Sequence, residues 1–119
     1  MSLLTGKRVL LVEDEAVIAF ALEDMLDELG CVVIGPAYQL ETACTLAEAE
    51  AIDVAILDVN LNEARSYAVA DILQRRGIPF VFATGYAETG IEWNDPDVTV
   101  IAKPYRKDEI AKALAALLT

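Results

Sequence analysis

Short, unbroken apolar runs recur along this chain, and several stop on a charged or hydroxyl residue. The runs ending at Val12, Leu57, Ala83 and Ala102 meet Glu13-Asp14, Asp58, Thr84 and Lys103-Pro104. A run without polar alternation is what a strand buried on both faces of a parallel sheet requires. Strands are therefore expected over 7–13, 31–34, 52–58, 79–83 and 98–102, the second closed by Gly35-Pro36.

The intervening segments carry helical spacing. Over 15–29, Ile18, Ala21, Leu22, Met25 and Leu29 fall on one side, and Gly30 supplies a stop signal. Helices are also expected over 40–49, over 64–76 ending at Gly77, and over 107–118 with Ile110, Leu114 and Leu117 facing inward. Alternating strands and helices with short connections predict a mostly parallel sheet covered on both faces. The stretch 86–97 is the weak point: Gly90, Asn94 and Pro96 oppose a helix, so a short helical turn or a disordered loop is expected there.

With 119 residues, 55% of them hydrophobic, the chain has the size of one domain that can bury a core without disulfides. One domain over 1–119 with no output domain is the expectation. Lys7-Arg8 stands close to the first residue, and no apolar run approaches the ~18 residues of a membrane span. A soluble, cytoplasmic protein follows. The net charge of −11 repels nucleic-acid phosphates, and beyond Arg75-Arg76 and Arg106-Lys107 there is no basic cluster, so neither nucleic acid nor membrane is an expected partner.

Cys31 and Cys44 have no CxxC spacing, and there is no histidine to complete a zinc set, so both read as plain thiols. The lack of histidine also removes Ser/His and Cys/His nucleophile systems. Chemistry here has to run on carboxylates, hydroxyls, lysine or metal.

Ligands of open parallel sheets bind beyond the carboxyl ends of the strands, where Glu13, Asp14, Asp58, Thr84 and Lys103 would meet. Converging carboxylates raise one another's pKa unless a divalent cation lies among them, and Mg²⁺ suits a site that also handles phosphoryl oxygens. A carboxylate can itself attack phosphorus and give an aspartyl phosphate. Taken singly, each residue also has a plain structural role: Glu13-Asp14 as first-turn acids, Asp58 as a strand-end carboxylate, Thr84 as a turn residue, Lys103 as a solvated charge. Their occurrence together, in order at strand ends, favours chemistry.

The segments VLLVEDE, ILDVNL, FATGY and IAKPY, in this order, resemble the receiver domains of bacterial two-component response regulators, and the likeness covers essentially the whole chain. It implies a flavodoxin-like three-layer α/β/α sandwich with five parallel strands in the order 2-1-3-4-5. It implies Asp58 as phosphoacceptor, and Asp14 as a direct Mg²⁺ ligand with Glu13 acting beside it through water. Asn60 would offer its backbone carbonyl to the metal, Lys103 would pair with acceptor and phosphoryl oxygens, and Thr84 would report the phosphoryl group.

The partners implied are a histidine kinase or histidine phosphotransferase and a downstream protein, with a monomer as the default state. The chain would modify itself without turning over an external substrate. The string Phe82-Ala-Thr-Gly-Tyr86 resembles the FAT GUY group, many of which stand alone without an output domain. Many receivers carry a switching aromatic three residues before the lysine, where this chain has Val100. Ordering or shifting of 86–97 on phosphorylation is the expected substitute.

Ala16, Val17 and Phe20 give the first helix more apolar surface than one face needs; it is either a wide core stripe or a docking site for the kinase. Two rival functions remain. A receiver-like interaction module that is never phosphorylated has no reason to keep the charged cluster. A phosphatase-like hydrolase needs a second acid two residues beyond Asp58, where Asn60 stands, and a cap segment the chain lacks.

Overall fold

A computed structural model describes residues 3–61, 64–84, 99–103 and 105–119. Within them, β1 (Arg8–Val12), α1 (Ala16–Glu28), β2 (Val32–Ala37), α2 (Leu40–Ala49), β3 (Val54–Asp58), β4 (Asn60–Leu61), β5 (Ala64–Arg65), α3 (Tyr67–Arg75), β6 (Phe80–Thr84), β7 (Thr99–Ala102) and α4 (Lys107–Leu117) follow in order. Five strands form one parallel sheet in the order β2-β1-β3-β6-β7. This is the flavodoxin-like topology expected. Residues 86–97, on which the short or disordered helix was expected, lie outside the described residues.

Strand geometry explains why the apolar runs are continuous. Side chains alternate between the two faces, so each central strand feeds two cores. Leu10, Val12, Ala55, Leu57 and Phe82 pack with Ala43 and Ala47 of α2 and Val69, Ala70 and Leu73 of α3. Val9, Leu11, Val54, Ile56, Val81 and Ala83 pack on the other side with Leu22 and Leu26 of α1 and Ile110 and Leu114 of α4.

Two helices stop as their glycines foretold. At the end of α1, the Cys31 N–H donates to Leu26 O at 3.0 Å and the Gly30 N–H to Asp27 O at 3.0 Å. At the end of α3, Ile78 donates to Leu73 O at 2.9 Å and Gly77 to Gln74 O at 3.1 Å. Both are Schellman closures, which need a left-handed residue at the turn, and Gly30 and Gly77 have φ of 85° and 71°.

Several boundaries differ from the sequence expectation. Residues 64 and 65 are not helical: they pair as β5 with β4 in a small antiparallel hairpin, and α3 starts only at Tyr67. Helix propensity over Ala64 yields here to the hairpin, whose Leu61 is buried in the core. Strand β2 does not close at Gly35-Pro36 but runs through it to Ala37, by a register irregularity opposite Leu10–Val12. The buried face of α1 is Ala19, Leu22 and Leu26, with Ile18, Met25 and Leu29 at its margins and Ala21 exposed. Val17 and Phe20 are 81% and 60% exposed, so they do not belong to the core stripe.

Arginines tie the strand-entry end of the sheet. Arg76 donates to Ala47 O and, at 2.9 Å, to Glu50 O, while Arg8 Nε reaches Ala51 O at 2.6 Å. Arg76→Ala removes a charged donor from two carbonyls that cap the end of α2. It is expected to lower the unfolding free energy by about 1–2 kcal/mol in a denaturant titration.

Candidate functional site

The β1, β3, β6 and β7 strands run parallel, so their carboxyl ends share one edge of the sheet, where Glu13, Asp58, Thr84 and Lys103 come to rest. Glu13 follows β1, held there by its N–H to Ala37 O at 3.0 Å. It is 1% exposed, Asp58 4% and Thr84 3%. Lys103 follows β7, its N–H donating to Thr84 O at 2.9 Å.

Lys103 Nζ is the centre of the cluster. It donates to Glu13 Oε1 at 3.1 Å and to Asp58 Oδ2 at 3.0 Å. Asp58 Oδ1 accepts from the Asn60 N–H at 3.2 Å, which turns the chain sharply after β3. Glu13 Oε1 also accepts from the Glu15 N–H at 3.2 Å. Glu13 Oε2 lies 2.9 Å from the lysine ammonium as an ion pair, yet it is a buried oxygen with no aligned hydrogen-bond donor.

One lysine does not balance this much acid. Burial pushes Glu13 up to about 7, with the lysine hydrogen bond opposing and the nearby Asp58 charge adding to the rise. Burial raises Asp58 as well, against hydrogen bonds from Lys103. Burial pulls Lys103 down, but its hydrogen bonds to Glu13 and Asp58, reinforced by their charges, hold it above the usual lysine range.

Carboxylate oxygens of Glu13, Asp14 and Asp58 all lie within 4.8 Å of one another. An all-oxygen set with one donorless buried oxygen and carboxylates pushed toward protonation fits a hard divalent cation such as Mg²⁺. The structure thus brings the side chains of Glu13, Asp14, Asp58 and Lys103 together at this edge, with buried Thr84 at the end of the neighbouring strand. Asn60, in β4, contributes its backbone N–H to Asp58 Oδ1.

Tyr105 escaped the sequence reading. Two residues past Lys103, it lies against α1 with a buried hydroxyl that has no hydrogen-bond partner, and burial followed by the charges of Glu13, Asp58 and Glu15 raises its pKa. It borders a largely apolar groove of about 420 Å³ with Val17, Ile18, Ala21, Met25, Glu15 and Lys103. Tyr67, the first residue of α3, packs edge-on against Phe82 with centroids 5.8 Å apart, and Phe80 does so at 5.4 Å. Val100 pairs in register with Phe82 and packs against the same core, so the aromatic bulk beside Val100 comes from α3 and β6 instead of β7. No spacing rule links residues 67 and 82, so only the fold could show that contact.

Comparison with known proteins agrees with this geometry. Residues 9–115 match the response regulator receiver domain family. The sequence is 31% identical over 114 residues to the phyllosphere-induced regulator PhyR of Methylorubrum extorquens, covering 92% of this chain and 43% of that protein. It is 30% identical over 112 residues to the transcriptional regulatory protein PdtaR of Mycobacterium tuberculosis, covering 91% of this chain and 55% of that one. The chain thus spans about half the length of these curated relatives. Among solved structures, SdrG from Sphingomonas melonis Fr1 superposes with a TM-score of 0.84 at 45% identity, with 100% of both chains covered. PhyR from Brucella abortus gives 0.83 at 28% identity, over 96% of this chain and 48% of that one.

Receivers are in general signalling domains that work with kinases and downstream partners and take Mg²⁺ in an acidic pocket. No helix among the described residues is long and apolar enough to cross a membrane. The match runs through nearly all of the sequence and through the whole described sheet, so the chain belongs to the response regulator receiver domains of two-component signal transduction.

Proposed function

We propose that Asp58 accepts a phosphoryl group from a partner's phosphohistidine, with Mg²⁺ held by Glu13, Asp14, Asp58 and the Asn60 carbonyl. The observation that carries this is the cluster itself: three carboxylates within 4.8 Å of one another, two of them bonded to one lysine and raised toward protonation. Bound there, Mg²⁺ supplies the positive charge that phosphoryl oxygens need.

The rest is done by the chain. Asp58 presents Oδ1 and Oδ2, the first oriented by the Asn60 amide and the second by Lys103. One oxygen attacks phosphorus, and the histidine nitrogen leaves with the electron pair of the broken bond. Lys103 then steadies the new phosphoryl oxygens, and the Thr84 hydroxyl, at the end of the neighbouring strand, donates to one of them. The product is the signal, read by a downstream protein.

The kinase or phosphotransferase docks on α1. Val17 and Phe20 are exposed, and Val17 borders the groove that Lys103 also lines, so a helix seated there carries its histidine toward the acceptor. Phe20→Ser is expected to slow transfer from the partner about tenfold, a loss of about 1.4 kcal/mol of docking energy. Stability is expected to stay within ~0.5 kcal/mol, because the residue is on the surface. Phosphorylation by a small donor should be unaffected, and stopped-flow transfer compared with a melt separates the effects.

The decisive experiment is intact mass spectrometry after incubation with a small phosphodonor and Mg²⁺. One stable phosphoryl addition in the wild type, absent in Asp58→Asn, supports the acceptor. Rapid multiple turnover would make the protein a hydrolase, and no addition to either protein would make it an unphosphorylated interaction module.

A further inference from the structure

Four of the five arginines are engaged by neighbours: Arg8 by Glu50 and Ala51, Arg75 by Glu48, Arg76 by two backbone carbonyls, Arg106 by Asp108. Arg65 is exposed and makes no side-chain hydrogen bond or ion pair with the described residues. In a chain of net charge −11, a guanidinium unpaired among the described residues has many acids to choose from, so its position bears on its role.

That position is in the hairpin that directly follows the acceptor. Arg65 pairs in register with Asn60 across the β4–β5 hairpin. Directly opposed residues of an antiparallel pair share a face, with Cα atoms about 4.5–5.5 Å apart. The other face carries Leu61 into the core, at 2% exposure, so Asn60 and Arg65 take the solvent side. The Asn60 amide is the group that orients Asp58 Oδ1.

The hairpin is also anchored. The Ser66 N–H donates to Val59 O at 3.0 Å, and Ser66 O accepts from Val69 and Ala70 in the first turn of α3. The backbone of Arg65 is therefore fixed next to the corner that holds the acceptor carboxylate.

Phosphodonors that arrive without a protein carrier are anions, and they approach a pocket of three carboxylates and one lysine on an acidic surface. Like charge slows such an encounter, and a local cation at the mouth of a cleft reverses the effect. We propose that Arg65 is a positioning residue that recruits dianionic small-molecule phosphodonors, of the acyl phosphate class, to Asp58. This rests on Asp58 as acceptor.

The step balances. An Asp58 oxygen forms a bond to phosphorus, the bond between phosphorus and the acyl oxygen breaks, and the carboxylate leaves with the electron pair, so three negative charges enter and three remain. Arg65 neither donates nor accepts a proton in it; it raises the local concentration of the dianion.

The test is the rate of phosphoryl addition by intact mass, at low ionic strength with saturating Mg²⁺, using acetyl phosphate and then phosphoramidate, which carries one negative charge less near neutral pH. Arg65→Ala is expected to lower the acetyl phosphate rate about 3- to 10-fold and the phosphoramidate rate less. The gap should close at ~1 M salt, where the screening length is about 3 Å. Arg65→Lys should restore most of the rate. Arg75→Ala, an equal charge change at the far end of α3, should match the wild type.

An Arg65→Ala rate equal to that of the wild type, or of Arg75→Ala, would overturn the proposal. So would a loss that is alike for both donors and persists at high salt, which marks a structural role. A wild type that takes up no phosphoryl group would overturn the acceptor itself, and this inference with it.

Discussion

Asp58→Asn is expected to abolish phosphoryl addition and at the same time to raise the thermal midpoint of the metal-free domain. The first effect is chemical, because an amide oxygen is not a nucleophile toward phosphorus at neutral pH. The second follows from the cluster. Glu13 and Asp58 are both raised by burial, so in the absence of metal the fold carries two carboxylates it would hold more easily as neutral acids.

A carboxyl raised in the folded state binds its proton there more tightly than in the unfolded chain. The folded state then holds more protons, and stability falls as pH rises through the window. For Glu13 that window runs from the ordinary value of 4.5 to about 7. Metal-free wild type should therefore melt lower at pH 7.5 than at pH 5.5. Asp58→Asn deletes a charge and keeps one oxygen, which accepts from Lys103 or from the Asn60 amide where the carboxylate served both; with the Asp58 charge no longer adding to the rise of Glu13, its melting point should vary less with pH. Mg²⁺, which stabilises by binding the folded state, should raise the wild-type midpoint and leave the variant nearly unchanged. Melts with and without Mg²⁺ at both pH values check all of this; a midpoint lowered in the metal-free variant would refute the account of a repelling cluster.

Phe82→Ala should have the largest effect on folding. Phe82 is 0% exposed at the middle of the sheet, flanked edge-on by Tyr67 and Phe80, and it pairs with Leu57 on one side and Val100 on the other. Removing a ring from such a place costs about 3–5 kcal/mol, through lost transfer energy and a cavity that neighbours fill only in part. Against a whole-domain stability of about 5–15 kcal/mol that is a large share. The midpoint should fall by roughly 10–20 °C. Phe82→Leu, which refills most of the volume, should recover at least half of the loss; a truncation that costs under ~1 kcal/mol would mean that the core is not packed around this ring.

The two positions are linked through adjacent strands: Asp58 ends β3, which pairs with β6, where Phe82 and Thr84 stand two residues apart. The strand that carries the largest core residue also places Thr84 at the edge of the sheet where the proposed phosphoacceptor lies. Tyr67 packs on that strand from the first turn of α3, just past the hairpin that follows Asp58. Val100, three residues before the lysine, packs against the same core as these rings.

Much of this was legible in the chain itself. Strands that feed two cores must be apolar at successive positions, so β1, β3 and β6 show as unbroken runs. Helix ends at Gly30 and Gly77 show because only glycine enters the left-handed turn at little steric cost. The candidate site residues show because a parallel sheet delivers every strand end to one edge, so residues 13, 58, 84 and 103 are neighbours by topology.

The remainder depended on contacts between residues far apart in sequence. Local propensity favours a helix at Ala64, but the core position of Leu61 and the bond from Ser66 to Val59 make a hairpin there. Apolar spacing cannot tell a core stripe from a docking face, and only packing against the sheet showed that Val17 and Phe20 stay in solvent. Sequence order placed the acids and the lysine at one edge; the burial that raises Glu13 and Asp58, and the 3.0 Å reach of Lys103 to Asp58, are properties of the folded chain alone. Charge identity is written residue by residue, whereas the dielectric around a charge is set by everything packed against it.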